Sequence, residues 1–221
     1  MSDPSCPRIP AVWTDRPADN RPEVCANPAQ TDRDSTILSL LERLAACPQD
    51  RLLITIDGPC GSGKSTLAAR LGEAIGAPVL HMDDYVVPHA RKTPERLAIP
   101  GGNADVERLQ TEILLPWQAG EAIVARPYLC HEDRLGDAIT LQPGRCLILE
   151  GTYCNLPVIA QHASLRLFLT VSPQEQQRRL LQRVGPERLQ AFNSRWIPLE
   201  KAYFAALRLP DDGCYVLPQD V

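Results

Sequence analysis

The most chemically specific stretch of the sequence is a glycine-rich turn that fits the pattern G-x-x-x-x-G-K-[ST]. Its residues are Gly58, Pro59, Cys60, Gly61, Ser62, Gly63, Lys64 and Ser65. Glycines let the backbone curl so that several N–H groups point inward and form a concave anion site. In such a turn Lys64 would reach the β- and γ-phosphates of a nucleotide, and the Ser65 hydroxyl would hold Mg²⁺. A glycine-rich turn can also be purely structural, but the Lys-Ser pair favours phosphate binding.

The segments on either side of this turn are of the kind that a phosphate-binding loop requires. Residues 52–56 form an apolar, β-branched run that is typical of a buried strand. Residues 66–71 contain good helix formers, with apolar side chains at Leu67 and Leu71. A helix that begins here adds free N–H groups and the positive end of its dipole to the anion site. We therefore predict a strand, a phosphate loop that extends to Thr66, and a helix, in that order.

Two further apolar runs lead into carboxylates. Residues 79–82 predict a short strand before Asp83 and Asp84, and residues 146–149 predict a core strand that ends at Glu150. Ligands bind at the carboxyl ends of the strands in open parallel sheets. Asp83 could there accept the proton of an attacking hydroxyl or help to hold Mg²⁺, and Glu150 is the expected second metal partner. The alternative role of Asp83 is an ordinary turn residue or helix cap.

A polar, proline-punctuated insertion separates these two strands. We predict that it covers about residues 88–142 and contains a helix over about residues 105–115 that Pro116 ends. Residues 122–125 and 138–141 are short apolar stretches on either side of a polar segment. This pattern indicates a hairpin arm beside the site, which would bind substrate.

The next part of the chain predicts a strand over residues 165–171 and then a basic helix. Ser172, Pro173 and Glu175 are typical of a helix start. On this helix Arg179 and Arg183 are four residues apart and share one face. They would form a lid, about residues 173–186, whose arginines stabilise a transferring phosphoryl group, or else a solvated basic face. We predict a last helix over residues 186–207, broken at Pro198, and a last strand over residues 214–217.

Composition limits the class of protein. The 221 residues suit one α/β domain over residues 35–221, which begins with an amphipathic helix over residues 37–46 and is preceded by a flexible arm over residues 1–34. The net charge of −4 argues against a nucleic-acid-binding platform. No apolar run is long enough to span a membrane, and the start has no signal-peptide pattern. The eight cysteines are scattered, so we expect reduced thiols in a cytoplasmic protein.

Taken in order, these motifs resemble the uridine kinase branch of the P-loop kinases, with phosphoribulokinase and bacterial pantothenate kinase as more distant relatives. The resemblance covers about residues 54–204. The segments that carry it are IDG and GSGKS at 56–65, HMDDY at 81–85, GGNADVER at 101–108, RPY at 126–128, LEGTY at 149–153, and WIPLE at 196–200 with Tyr203-Phe204. The residues after Asp84, Tyr128 and Gly151 depart from the family pattern more than the phosphate loop does.

The resemblance implies roles for individual residues. Asp83 matches the general base toward a sugar 5′-hydroxyl, and Ser65 and Glu150 match the metal-holding pair, with Asp83 close by. On the substrate side, Asp105 resembles the carboxylate that grips ribose hydroxyls. Residues that would contact the nucleobase are Tyr128 and His131, and Arg179 and Arg183 resemble lid arginines.

The sequence therefore predicts an α/β P-loop NTPase fold, with three layers and a mainly parallel five-stranded sheet, carrying a substrate-binding arm and a helical lid. The expected activity is an ATP- and Mg²⁺-dependent kinase that acts on a small hydroxyl compound, foremost a nucleoside. The alternatives are a P-loop ATPase or nucleotide-dependent switch without an acceptor, and a related kinase for pantothenate or a sugar phosphate. The sequence leaves open the choice of ATP or GTP and whether the chain forms a homo-oligomer.

Overall fold

The computed structural model describes residues 51–218 and, before them, residues 39, 41, 42 and 46. The arm predicted for residues 1–34 and most of the helix predicted for residues 37–46 lie outside the described residues.

A five-stranded parallel sheet forms the centre of the fold. The strands of the described chain are β1 (Leu52–Asp57), β2 (Val79–His81), β3 (Ile123–Ala125), β4 (Tyr128–Leu129), β5 (Arg134–Leu135), β6 (Ile139–Leu141), β7 (Cys146–Glu150), β8 (Ala163–Thr170) and β9 (Tyr215–Pro218). The central sheet has the order β2-β7-β1-β8-β9, and every neighbouring pair is parallel. The predicted five-stranded sheet is confirmed.

Helices cover both faces of this sheet. The helices of residues 51–218 are α1 (Lys64–Ile75), α2 (Pro94–Leu97), α3 (Val106–Leu109), α4 (Leu115–Ala119), α5 (Pro157–Ala160), α6 (Pro173–Ala191) and α7 (Ile197–Leu207). Every residue of β1 is buried, and alternate side chains enter different cores. Ile54 and Ile56 pack with Leu67 and Leu71 of α1, whereas Leu53 belongs to the core that includes Tyr203 of α7.

The insertion forms the predicted arm from two small antiparallel pairs. Strand β3 pairs with β6, and β4 pairs with β5 across the turn between them. The arm meets the main domain where β4 packs against a 3₁₀ turn, Met82–Tyr85, which follows β2. A single antiparallel bridge between Val86 and Ala104 ties the start of the insertion to the segment before α3.

Two prolines that were predicted to end or break helices do neither. Pro116 lies in the first turn of α4, and Pro198 lies in the first turn of α7. A π-helical turn comes directly before each of these helices, Gln110–Leu114 and Phe192–Trp196. Because the wider π turn shifts the hydrogen-bonding register, the helix continues past a residue that lacks an N–H.

The basic helix α6 begins as predicted but bends within its length. The Ser172 side chain accepts a hydrogen bond from the Glu175 N–H, which caps the first turn. Gly185 has φ 77° and ψ 170°, so the helical path is interrupted there and resumes at Pro186. The first helical stretch, which carries the predicted lid, therefore stops at Gly185, and a second stretch begins at Pro186, where the sequence predicts a helix start.

Two general expectations can be checked over the described chain. No helix in residues 51–218 combines the length and apolar character needed to cross a membrane. The cysteines in that range are free thiols, namely Cys60, Cys130, Cys146, Cys154 and Cys214.

Candidate active site

The phosphate loop connects the carboxyl end of β1 to the start of α1. Gly58 has φ 140°, and a Cβ at this position would lie 2.3 Å from the carbonyl oxygen of Leu169 in β8. Gly63 has φ 91° and occupies the N-cap position of α1. Only glycine suits both places, because one needs a positive φ and close approach to a neighbouring backbone and the other needs a left-handed cap.

Lys64 lies across the loop. Its ammonium group donates hydrogen bonds of 2.8 Å to the carbonyl oxygens of both Gly58 and Pro59. The residue is only 9% exposed, so this charge is held beside the loop backbone rather than in solvent. A positive charge fixed here complements an anion over the loop N–H groups.

Glu150 and Ser65 meet at the carboxyl end of the sheet. The register pairs Glu150 with Ile56 on one side and with His81 on the other. The Ser65 hydroxyl donates to Glu150 Oε1 at 2.9 Å, and His81 Nδ1 lies 2.5 Å from the same oxygen. The hydrogen bond to Glu150 raises the pKa of His81 above its usual value.

The chemistry of this pair fits Mg²⁺. Hydroxyl and carboxylate oxygens are the hard ligands that Mg²⁺ prefers, and it commonly takes only one or two from the protein, the rest coming from phosphates and water. Residues 51–218 contain no cluster of three or more His, Cys, Asp or Glu side chains arranged to hold a metal on their own.

Asp83 follows β2, the strand that neighbours β7 and its last residue, Glu150. It lies on the 3₁₀ turn that directly follows β2, and its side chain is exposed. The neighbouring Asp84 is half-buried, and burial raises the pKa of its carboxyl. Arg108 of α3 fixes the turn, since its guanidinium donates to the Asp84 carbonyl oxygen and lies 4.5 Å from the centre of the Tyr85 ring.

Glu200 of α7 holds the phosphate loop through a hydrogen bond, a role that the sequence analysis did not assign. Its carboxylate is buried and accepts from the Cys60 N–H, with distances of 3.2 and 3.1 Å to its two oxygens. The Thr152 hydroxyl also donates to it at 2.9 Å. Gln176 of α6 donates to the Cys60 carbonyl oxygen at 2.9 Å. The available signal was an acidic residue within the otherwise apolar WIPLE segment of α7.

Asp57, the last residue of β1, is a second buried carboxylate that sequence reasoning did not assign. It is 0% exposed and accepts from the N–H groups of Gly58 and Asn155, at 2.7 and 2.9 Å, and from the Tyr203 hydroxyl at 2.7 Å. Burial raises its pKa from 3.8 to about 6, although these donors act in the opposite direction. The carboxylate therefore links the first residue of the loop, Gly58, to Tyr203 of α7.

The two arginines predicted to belong to a lid occupy different positions relative to the loop. Arg179 donates to the Gly61 carbonyl oxygen at 3.3 Å and pairs with Glu175 at 2.6 Å. The Arg183 guanidinium lies 5.7 Å from the centre of the Phe192 ring, and its charge is close enough to act on the Cys60 thiol. Both arginines therefore lie on the side of α6 that faces the loop, whereas Arg178 is exposed and pairs with Glu175.

The predicted acceptor-binding residues have other partners in the insertion. Asp105 is 2% exposed, caps α3, and pairs with Arg91 Nη1 at 3.2 Å from each carboxylate oxygen. Tyr128 is buried, and its hydroxyl donates to Asp133. His131 is exposed in the turn between β4 and β5.

Comparison with known proteins identifies the fold. No protein-family model matches the sequence, and no curated protein matches it. Among solved structures, the chain is similar to one described as a possible uridine kinase from Bacillus stearothermophilus, with a TM-score of 0.61 and 21% identity, covering 83% of this chain and 98% of that chain. It is also similar to YFH7 from Saccharomyces cerevisiae, a candidate P-loop kinase with a circular permutation, with a TM-score of 0.50 and 12% identity, covering 86% and 100% respectively.

These likenesses agree with the motif pattern that resembles the uridine kinase branch. The predicted fold class, an α/β P-loop NTPase fold of the kind found in P-loop kinases, is confirmed. At these sequence identities the likeness is one of fold.

Proposed function

We propose that this protein is a kinase that transfers the γ-phosphoryl group of MgATP to a hydroxyl group of a small molecule, foremost a nucleoside. The observation that carries the proposal is the contact between the Ser65 hydroxyl and Glu150 Oε1, which are 2.9 Å apart. This contact lies at the carboxyl end of the parallel strands, where Lys64 and Asp83 also follow their strands. These groups lie at or just beyond the carboxyl ends of three neighbouring strands, β1, β7 and β2.

In this proposal the acceptor oxygen attacks the γ-phosphorus while the bond to the bridging oxygen of ADP breaks. The proton of the acceptor hydroxyl passes to the Asp83 carboxylate, which is exposed to solvent. Mg²⁺, held by Ser65 and Glu150 with Asp83 nearby, would neutralise charge on the phosphates. Lys64 and the lid residues Arg179 and Arg183 would stabilise charge on the transferring group.

We propose that residues of the insertion contact the acceptor molecule. The resemblance to uridine kinases suggests Asp105, Tyr128 and His131. Because Arg91 occupies both carboxylate oxygens of Asp105, hydroxyl groups of an acceptor would have to exchange with this arginine. The Lys92 ammonium, 5.8 Å from the centre of the Tyr128 ring, adds a cation beside the proposed base-binding residue.

The test measures ADP release from MgATP with and without uridine, pantothenate or ribulose 5-phosphate. We expect turnover only when an acceptor is present. Replacement of Asp83→Asn should lower kcat by about 10²–10⁴-fold, because a general base in reach of the reacting proton typically contributes that much. Asp84→Asn is the matched control and should leave kcat almost unchanged.

Two outcomes would contradict this function. Hydrolysis that proceeds equally without any acceptor would indicate an ATPase or nucleotide-dependent switch. Near-normal kinase activity in Asp83→Asn would show that another group takes the proton.

A further inference from the structure

The turn that carries Asp83 is held by an arginine of the insertion. This 3₁₀ turn, Met82–Tyr85, has no side-chain cap from His81 at its start. The Arg108 guanidinium, on α3, donates a hydrogen bond to the carbonyl oxygen of Asp84, one residue past the proposed general base. The position of the turn therefore depends on a side chain 24 residues later in the chain.

Two more contacts join α3 to the end of this turn. The Arg108 guanidinium lies over the Tyr85 ring, 4.5 Å from its centre, and Tyr85 is only 1% exposed. The N–H of Asp105, which caps α3, donates to the Tyr85 carbonyl oxygen at 2.6 Å. Because Arg108 contacts Asp84 and Tyr85 at once, it fixes the turn in both position and orientation.

Glu112, in the π-helical turn after α3, holds the arginine in place. Its Oε1 lies 3.6 Å from Arg108 Nε, and its Oε2 accepts from the Tyr85 hydroxyl at 3.3 Å. The same Oε2 accepts from the N–H of Arg126 at 3.3 Å. Since Arg126 lies between β3 and β4, this carboxylate connects the arginine and the turn to the arm.

The guanidinium is not placed where its own hydrogen bonding would be best. The Arg108 side chain is 13% exposed, and its Nε and Nη1 are buried without a hydrogen bond to any described residue. Burying an ionised group with unsatisfied donors is destabilising, and apolar side chains often replace buried ion pairs without loss of stability. Stability alone therefore does not account for an arginine here, whereas its contact with the turn does.

We infer that Arg108 is a positioning residue for phosphoryl transfer, which sets the direction of the Asp83 carboxylate by fixing the Asp84 carbonyl group. Arg108 itself would touch neither substrate nor nucleotide. A displacement of about 1 Å at a reacting group can cost about 10²-fold in rate. Because the contact is with the Asp84 backbone, Asp84→Asn leaves it in place. This inference rests on the kinase activity proposed above.

The first test removes the guanidinium. With whichever of uridine, pantothenate or ribulose 5-phosphate supports turnover, Arg108→Gln should lower kcat by about 10–100-fold. The KM for MgATP should stay within about twofold, because the contacts described for Arg108 are with the turn and the insertion. Arg70→Gln is the matched control. It removes an exposed arginine from α1, which packs in the other core, and should leave kcat within about twofold.

A double-mutant cycle separates positioning from a general structural role. If Arg108 acts through Asp83, its removal has nothing left to misplace once the carboxylate is gone. Arg108→Gln should then change the residual kcat of Asp83→Asn by less than about twofold. A merely structural role would give the same loss of kcat in both backgrounds.

Hydrogen exchange tests the contact without any turnover. Amide exchange over residues 82–87 should be about tenfold faster in Arg108→Gln than in the unmodified chain, and exchange in β1 should be unchanged. If Arg108→Gln does not fold, Arg108→Lys takes its place in every measurement. Lysine keeps a cation near the Tyr85 ring, but its single ammonium lacks the planar fork that both stacks on the ring and reaches the carbonyl oxygen.

The failures of the two proposals can be told apart. ADP release without an acceptor, or no turnover with any of the three acceptors, overturns the kinase function and the catalytic role of Arg108 with it. Acceptor-dependent turnover overturns the positioning role alone if Arg108→Gln leaves kcat within twofold or if the loss is equal in the Asp83→Asn background. Unchanged exchange over residues 82–87 also overturns it.

Discussion

Asp57 shows how a single buried carboxylate can link the phosphate loop to a distant helix. Its two oxygens accept from two backbone N–H groups and from the Tyr203 hydroxyl, which lies 146 residues later in the chain. Because burial raises its pKa from 3.8 to about 6, the folded protein holds this proton more tightly than the unfolded chain does. The contribution of Asp57 to the free energy of unfolding therefore falls as pH rises from about 4 to about 6, and it is constant above that range.

Replacement of Tyr203→Phe should make this pH dependence steeper and extend it. The variant loses a donor to the charged carboxylate, so the pKa of Asp57 should rise further. Urea unfolding should show a loss of about 1.5–3 kcal/mol near pH 8, the value of a hydrogen bond to a charged group, and a much smaller loss near pH 4.5. A loss of equal size at both pH values would mean that the hydroxyl does not act through Asp57.

At the scale of elements, the loop depends on how β1 and β8 lie beside each other. Parallel pairing sets Asp57 opposite Phe168, so the loop leaves the sheet beside the backbone of β8. Gly58 can make that exit because it has no Cβ to meet the Leu169 carbonyl oxygen. The other side of the loop is held by Gln176 and Arg179 of α6 and by Glu200 of α7.

Two glycines with positive φ allow us to measure how far the phosphate loop depends on its close approach to β8. Gly58→Ala would place a Cβ 2.3 Å from a backbone oxygen, whereas a Cβ at Gly76, where α1 ends, would have nothing within 4 Å. We expect Gly58→Ala to abolish MgATP binding and to lower the free energy of unfolding by more than about 3 kcal/mol.

The control, Gly76→Ala, should cost only about 1 kcal/mol, because it carries the conformational penalty without a clash. Thermal unfolding and nucleotide titration of both variants provide the measurement. Similar losses in the two variants would show that φ alone, and not the approach to β8, decides the effect.

For the whole molecule, a partly buried ion pair ties the segment after α7 back to the sheet. Arg166 of β8 is 5% exposed and binds Asp211, beyond α7, through two hydrogen bonds of 2.9 and 3.0 Å. Its Nε also donates to Asn155 at 2.9 Å. Partial burial of Asp211 acts to raise its pKa, but the hydrogen bonds and charge of Arg166 outweigh this and hold the pKa below its usual value.

Asp211→Ala should destabilise the fold by about 1–3 kcal/mol, because a buried cation loses a partner that is itself partly screened by solvent. The adjacent Asp212 is exposed, and Asp212→Ala should change stability by no more than about 0.5 kcal/mol. Urea unfolding of the two variants measures the difference. Equal stability of the two variants would mean that hydrogen bonds from Arg166 to Asn155 and to solvent replace the lost pair with Asp211.

The phosphate loop, its strand and its helix could all be predicted from the sequence, because each is specified by residues that are close together in the chain. The same holds for Ser172 at the start of α6 and for the paired strands of the arm. Pro116 and Pro198 were misjudged, since a single proline indicates a helix end locally and does not reveal a π turn before it.

What the sequence determined by itself was therefore the local chemistry: a loop shaped for phosphates and strands that end in carboxylates. Only the tertiary structure decided which distant groups meet this loop. Glu200 reaches the Cys60 N–H across 140 residues, and Tyr203 reaches Asp57 in the same way. The physical reason is that such contacts depend on how α7 packs against the sheet, and packing between distant segments leaves no periodic pattern in the chain.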